Sequence, residues 1–141
     1  MPYTDDEIKQ YAARVNKVFY DAVFKDPWLS RVFANVTQQH IEAQQTDFMV
    51  AALGGPKRFM GRNPSDAHAH IYITEEMWRL REKHLLAAFA ATRFPDDLAK
   101  RWISIDEAFK GSIVKASPAE CVKRFASDEI INHPNPAGPG S

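Results

Sequence analysis

Cysteine is almost missing from this chain: Cys121 stands alone among 141 residues. That excludes an internal disulfide, a zinc site built on paired cysteines and any motif that anchors a cofactor through two thiols. No excess of charge of either sign is present. The 18 basic and 18 acidic residues give a formal net charge of +0, so no bulk field draws the protein to nucleic acid or anionic lipid. No run approaches the ~20 apolar residues that cross a bilayer. The acidic start, Thr4-Asp5-Asp6, lacks the basic and apolar regions of a secretory signal. Internal repeats are absent, and no alternation is long enough for a strand. These absences lead to the expectation of a cytoplasmic protein with no membrane insertion and no nucleic-acid partner.

What is present is helical periodicity. Thr4 and Glu7 form a capping-box pattern. Behind it Ile8, Tyr11, Ala12, Val15, Phe19, Ala22 and Val23 repeat at helical spacing. Asp26-Pro27 opens a short helix, with Asp as cap and Pro in the first turn. Thr37 starts the next helix, in which Ile41, Gln45, Phe48 and Ala52 share a face, and Gly54-Gly55-Pro56 stops it. A loop from Lys57 to Arg62 follows, then a short helix from Asn63-Pro64 that carries His68. Thr74 with Glu75 and Glu76 caps a long helix to about Ala91, and Phe94-Pro95-Asp96 breaks it. Leu98, Trp102, Ile105, Phe109 and Ile113 stripe a last long helix. Ser117-Pro118 predicts one more short helix carrying Cys121 and Phe125. From about His133, proline and glycine predict disorder. The chain is therefore all-α, with a domain over 1–127 and a flexible tail over 128–141.

Three residues stand out chemically. Gln45 lies in the middle of an apolar stripe, where an amide without partners costs about 1–3 kcal/mol. Tyr20 lies on the core side of the first helix, and its hydroxyl also needs a partner. Either the two bond each other or a backbone carbonyl, or they aim into a ligand pocket with a few convergent polar groups. His68 is either a surface or satisfied core histidine or a metal ligand. It does not pair with His70 on one ion, because residues two apart on a helix point in different directions. No nearby cysteine or carboxylate completes a tetrahedral set. His40 and His84 read as solvent-facing. Phe33, Phe48, Trp78 and Trp102 read as core, or together as walls for a flat apolar group.

Six marks recur in one order: Phe19-Tyr20, Phe33, Gln44-Gln45, Gly54-Gly55, Gly61-Arg62, and His68 followed by Ile73-Thr74. In this order and at these distances the chain, from about Val15 to Lys115, resembles the truncated haemoglobins. Within them it is most similar to group I. Phe33 stands at the haem-packing position where other groups carry Tyr, and the tryptophan that marks those groups would fall at Arg81.

The resemblance implies a two-over-two helical sandwich around haem b (iron protoporphyrin IX). His68 would ligate the iron. Tyr20 and Gln45, with Gln44 beside them, would face the bound gas. Phe33, Ile41, Phe48, Ile73 and Trp78 would line the cofactor. The chain departs from the pattern in four places. Glu7 and Ile8 replace a Gly-Gly turn, which implies a continuous opening helix. Ile41 stands where larger globins place a distal histidine. Gln44 replaces a histidine or lysine that binds iron in some relatives, so the iron is expected to be pentacoordinate. Met49 replaces a phenylalanine that gates a tunnel in some relatives.

The implied function is reversible binding of O2, CO and NO. NO dioxygenation would draw on an external electron-donating reductase, since no flavin or nicotinamide motif is visible. Non-enzymatic binding, storage or gas sensing is the alternative. Peroxidase or nitrite reductase activity ranks third, because Tyr20 and Gln45 are poor acid–base groups at neutral pH.

Overall fold

Thr4 caps the first helix as its spacing predicts: its hydroxyl accepts from the Glu7 N–H, and Glu7 returns the bond to the Thr4 N–H. The structure is a computed structural model that describes residues 3–54 and 67–136. Helix α1 runs unbroken over Asp5–Lys25, so Glu7 and Ile8 do continue the helix. Asp26 then accepts from the N–H groups of Trp28 and Leu29 and opens α2, Leu29–Val32. Helix α3 spans Gln38–Ala52, and Gly54 beyond it takes φ +98°, which favours glycine. The expected Gly55-Pro56 stop, the 57–62 loop and the restart at Asn63-Pro64 lie outside the described residues. Thr74 accepts from the Met77 N–H and caps α4, Glu75–Thr92; α5 follows over Asp96–Ile113.

These helices pack two on two. α1 lies along α3 and α4, burying Ile8, Ala12, Val15, Phe19 and Val23. α4 and α5 run antiparallel, joined by Lys110–Glu75 at 2.9 Å, Arg81–Asp106 at 3.0 Å and the Phe89–Trp102 rings. α3 meets α5 through Phe48 and Phe109. A polar tie crosses the α1–α3 seam, where buried Asn16 Nδ2 donates to Thr46 Oγ1 at 3.0 Å.

The C-terminal segment differs from its sequence expectation. The predicted last helix reduces to one 3-10 turn, Pro118–Glu120. Cys121 only caps that turn, and Phe125 lies beyond it. Glu120 closes the turn early by accepting from the Ala116 and Ser117 N–H groups. The segment set apart as a flexible tail is bound to the body through its described part. Ile131 pairs with Ile71, the Trp28 indole N–H donates to the His133 carbonyl at 2.7 Å, and Asn135 donates to Glu76. His84 also departs from expectation: its Nε2 lies 2.9 Å from Asp26 Oδ2. Burial would raise the Asp26 pKa, but the hydrogen bonds from His84, Leu29 and Trp28 outweigh it and hold the carboxyl below its usual range.

Thr46→Val leaves the buried Asn16 amide without its acceptor. It should lower the unfolding free energy by about 1–3 kcal/mol in urea titration. Asn16→Leu with Thr46→Val should cost less than the sum of the two single changes.

Candidate functional site

A cavity of about 700 Å³ opens between α1, α2, α3, α4 and α5, within the ~300–1,000 Å³ usual for small-molecule and cofactor sites. The nine residues that the resemblance assigns to the site lie on its wall: Tyr20, Phe33, Ile41, Gln44, Gln45, Phe48, His68, Ile73 and Trp78; Trp102, also read as a possible wall, packs instead against Phe89 and Phe94. Met49 is there as well.

Each side chain is placed by its element. Tyr20 is 6% exposed, near the end of α1, with its ring edge-on to Phe19, Phe24 and Phe33. Phe33 caps α2 and stacks on Phe24 at 5.4 Å. Ile41, Gln44, Gln45 and Phe48 fall on the cavity side of α3 because they recur at i, i+3, i+4 and i+7. His68 is helical and sits where the chain turns towards Ile71. Its carbonyl accepts from the Ile71 N–H at 3.0 Å and from Lys115 Nζ at 3.0 Å. Lys115 is itself buried and spends its other bonds on the Ile71 and Ile113 carbonyls. The turn that carries His68 is therefore fixed to the end of α5.

Several polar groups on the wall are open. The Tyr20 hydroxyl and the amides of Gln44 and Gln45 make no side-chain hydrogen bond to another described residue. Two further atoms there, His70 Nδ1 and Trp78 Nε1, are buried without a partner among the described residues. Tyr20 and Gln45 therefore do not satisfy each other. Burial pushes the Tyr20 phenol above its usual range, so the group stays an O–H donor at neutral pH. Polar groups facing an apolar hollow in this way fit a flat cofactor with a polarised ligand, and the imidazole-bearing residue His68 lines the same hollow.

Sequence reasoning missed an ion pair on the same wall. Arg81 Nη1 lies 3.0 Å from Asp106 Oδ2, with side chains 29% and 11% exposed. The Arg81 guanidinium sits over the Trp78 and Phe19 rings at 5.0 and 5.6 Å. A signal was available: Asp106 continues the Leu98, Trp102, Phe109, Ile113 stripe, as Gln45 continues that of α3.

The bacterial-like globin family matches residues 8–115. The chain belongs to that family. It is 39% identical over 51 residues to the group 1 truncated hemoglobin of Tetrahymena pyriformis, a stretch covering 36% of this chain and 42% of that protein. To the group 1 truncated hemoglobin of Mycolicibacterium paratuberculosis it is 32% identical over 79 residues, 56% of this chain and 58% of the relative. The matched stretch thus spans less than two thirds of either relative. The crystal structure of the truncated hemoglobin from T. pyriformis in its Fe(III) form shares the fold, with a TM-score of 0.65 at 23% identity, over 77% of this chain and 90% of that one. A variant of that protein gives 0.69 over 79% and 98%. The family implies haem-based binding of small gaseous ligands.

Burial raises the Asp106 pKa, and the Arg81 charge opposes the shift without overcoming it. A carboxyl that holds its proton more tightly folded than unfolded lends stability below its unfolded value of 3.8. It loses that stability as pH rises through the folded value. Asp106→Asn removes this component. Between about pH 4 and pH 7 the variant should lose less, or gain more, unfolding free energy than the wild type. Parallel pH profiles would show that Asp106 does not titrate in this way.

Proposed function

We propose that this protein holds haem b in the cavity with His68 as iron ligand, binds O2, CO and NO on the Tyr20 side, and converts NO to nitrate with an external reductase. One observation carries the reading. The Tyr20, Gln44 and Gln45 polar groups lie open on the wall of a roughly 700 Å³ hollow that also bears His68. When bound there, haem would supply an iron that takes a diatomic gas and cycles between ferrous and ferric, the external donor returning one electron per NO consumed.

The chain's own residues supply the rest. Lys115 fixes the backbone carbonyl of His68 and so sets where its imidazole can reach. Phe33, Ile41, Phe48, Ile73 and Trp78 exclude water from the macrocycle. In that dry space a hydrogen bond is stronger than in solvent. The Tyr20 hydroxyl, kept protonated by burial, donates to a ligand atom carrying partial negative charge. The Gln45 amide donates from the facing helix, with the Gln44 amide beside it as a second donor that is a poor iron ligand. A chain with one cysteine gains nothing from an oxidising compartment, and we place the reaction in the cytoplasm, beside its electron donor.

Absorption spectra of the purified ferric, dithionite-reduced and CO-treated protein test the cofactor. A Soret band that shifts at each step is expected. His68→Ala should abolish or displace the band, and added imidazole should restore it. Absence of a Soret band after haem addition would overturn the proposal.

Tyr20→Phe should speed O2 release by roughly 10- to 150-fold, because a hydrogen bond to a charged partner is worth about 1.5–3 kcal/mol. Stopped-flow displacement by CO reads this rate. An unchanged rate would transfer the role to Gln45 or Gln44.

A further inference from the structure

Among the described residues two arginines reach the cavity, and they are bound differently. Arg124 closes its fork on Asp128, with Nε to Oδ2 at 2.9 Å and Nη2 to Oδ1 at 3.1 Å. Arg81 makes one bond, Nη1 to Asp106 Oδ2, and no other hydrogen bond to a described residue. A guanidinium carries five N–H donors and does not lose its charge in a protein. Its Cζ lies 5.6 Å over the Phe19 ring and 5.0 Å over the Trp78 ring, contacts that use none of its N–H donors in a conventional hydrogen bond.

The two ends of the cavity also differ electrostatically. Arg81 lies 5.6 Å over the Phe19 ring, which meets the Tyr20 ring edge-on at 4.8 Å. At the histidine turn the cation is Lys115, and its three donors are spent on the His68, Ile71 and Ile113 carbonyls. The incompletely paired cation therefore stands at the Tyr20 end, away from the histidine turn.

We propose that Arg81, held by Asp106, makes the Tyr20 end of the cavity select small monovalent anions, such as azide or nitrite, alongside the neutral gases. This rests on the haem reading above. An anion entering an apolar hollow gives up its hydration, and only a fixed cation with free donors compensates it there. Arg81 supplies both at the end where Tyr20 and the glutamines are also open. Asp106 orients the guanidinium and at the same time offsets its charge, so the two side chains act on anion affinity in opposite senses.

The test uses the haem-loaded protein. Azide is titrated into the ferric form and CO into the ferrous form, each followed by the Soret shift. Arg81→Met should weaken azide about tenfold or more, from the loss of one unit charge at close range, and should lower the ratio of azide to CO affinity. Asp106→Asn should raise that ratio. If Arg81→Met does not fold, Asp106→Asn decides by itself: azide must tighten relative to CO. Azide and CO affinities that move together, or an azide affinity indifferent to both changes, overturn the inference and leave the pair as a tie between α4 and α5. Wild-type protein that takes up no haem overturns the haem reading and this inference together, and the missing Soret band separates that result from the others.

Discussion

The stack of Phe89 on Phe94, 5.1 Å apart and 13° from parallel, is the contact that lets this small protein keep a hole in its middle. Trp102 stands edge-on to both rings, Tyr11 edge-on to Phe94, and Tyr3 edge-on to Tyr11. These five rings bind the start of α1, the end of α4 and the start of α5 into one dense end. The stack requires a sharp reversal. Arg93 takes a left-handed φ of 54°, and the Phe94 N–H folds back to the Phe89 carbonyl. A non-glycine residue there costs about 1–2 kcal/mol, which the buried ring contacts offset. An unfilled volume forfeits dispersion contacts along its lining, so an open middle needs a closed end.

Helix α1 carries this constraint to the other end. Its 21 residues run from the dense cluster at Tyr11 to the cavity wall at Tyr20. One apolar stripe thus serves two purposes: Ile8, Ala12 and Val15 fill space, while Phe19 and Tyr20 border it. The Asn16–Thr46 bond lies between the two regimes and fixes the register of α1 on α3. A slip of one turn there would carry Tyr20 off the wall and bring a filling residue onto it.

The helices were legible because their signals are local. Thr4, Asp26, Thr74 and Pro95 start elements within two residues of where spacing predicts, and the apolar periods of α1 and α5 recur as buried or half-buried stripes. The nine wall residues were legible as a set through resemblance, and Gln45 and Tyr20 also through polarity inside an apolar stripe. The same polarity rule applies to Asp106, Asn16 and Thr46, which escaped notice because a single polar residue in a stripe has several explanations until its partner is known. The C-terminal segment failed for a different reason. Its anchors, Ile131 on Ile71 and His133 on Trp28, join residues far apart in sequence, and a run rich in proline and glycine looks the same whether it is free or held from a distance.

Pairing of polar groups separates the frame from the cavity. Groups that hold the frame have partners: Asn16 with Thr46, Asp26 with His84 and two backbone N–H groups, Lys115 with three carbonyls. Among the described residues Trp102 departs from this, its indole nitrogen set among aromatic rings with no described partner. On the cavity wall, the Arg81–Asp106 and Arg124–Asp128 pairs apart, the order reverses: Tyr20, Gln44, Gln45, His70 and Trp78 all present polar atoms without a partner among the described residues. Unmade bonds at a mere packing defect would be a standing loss that apolar substitution removes. Gathered on one wall, they form a surface preorganised for something polar at the centre of an apolar body, and donors fixed in advance need no rearrangement when it arrives.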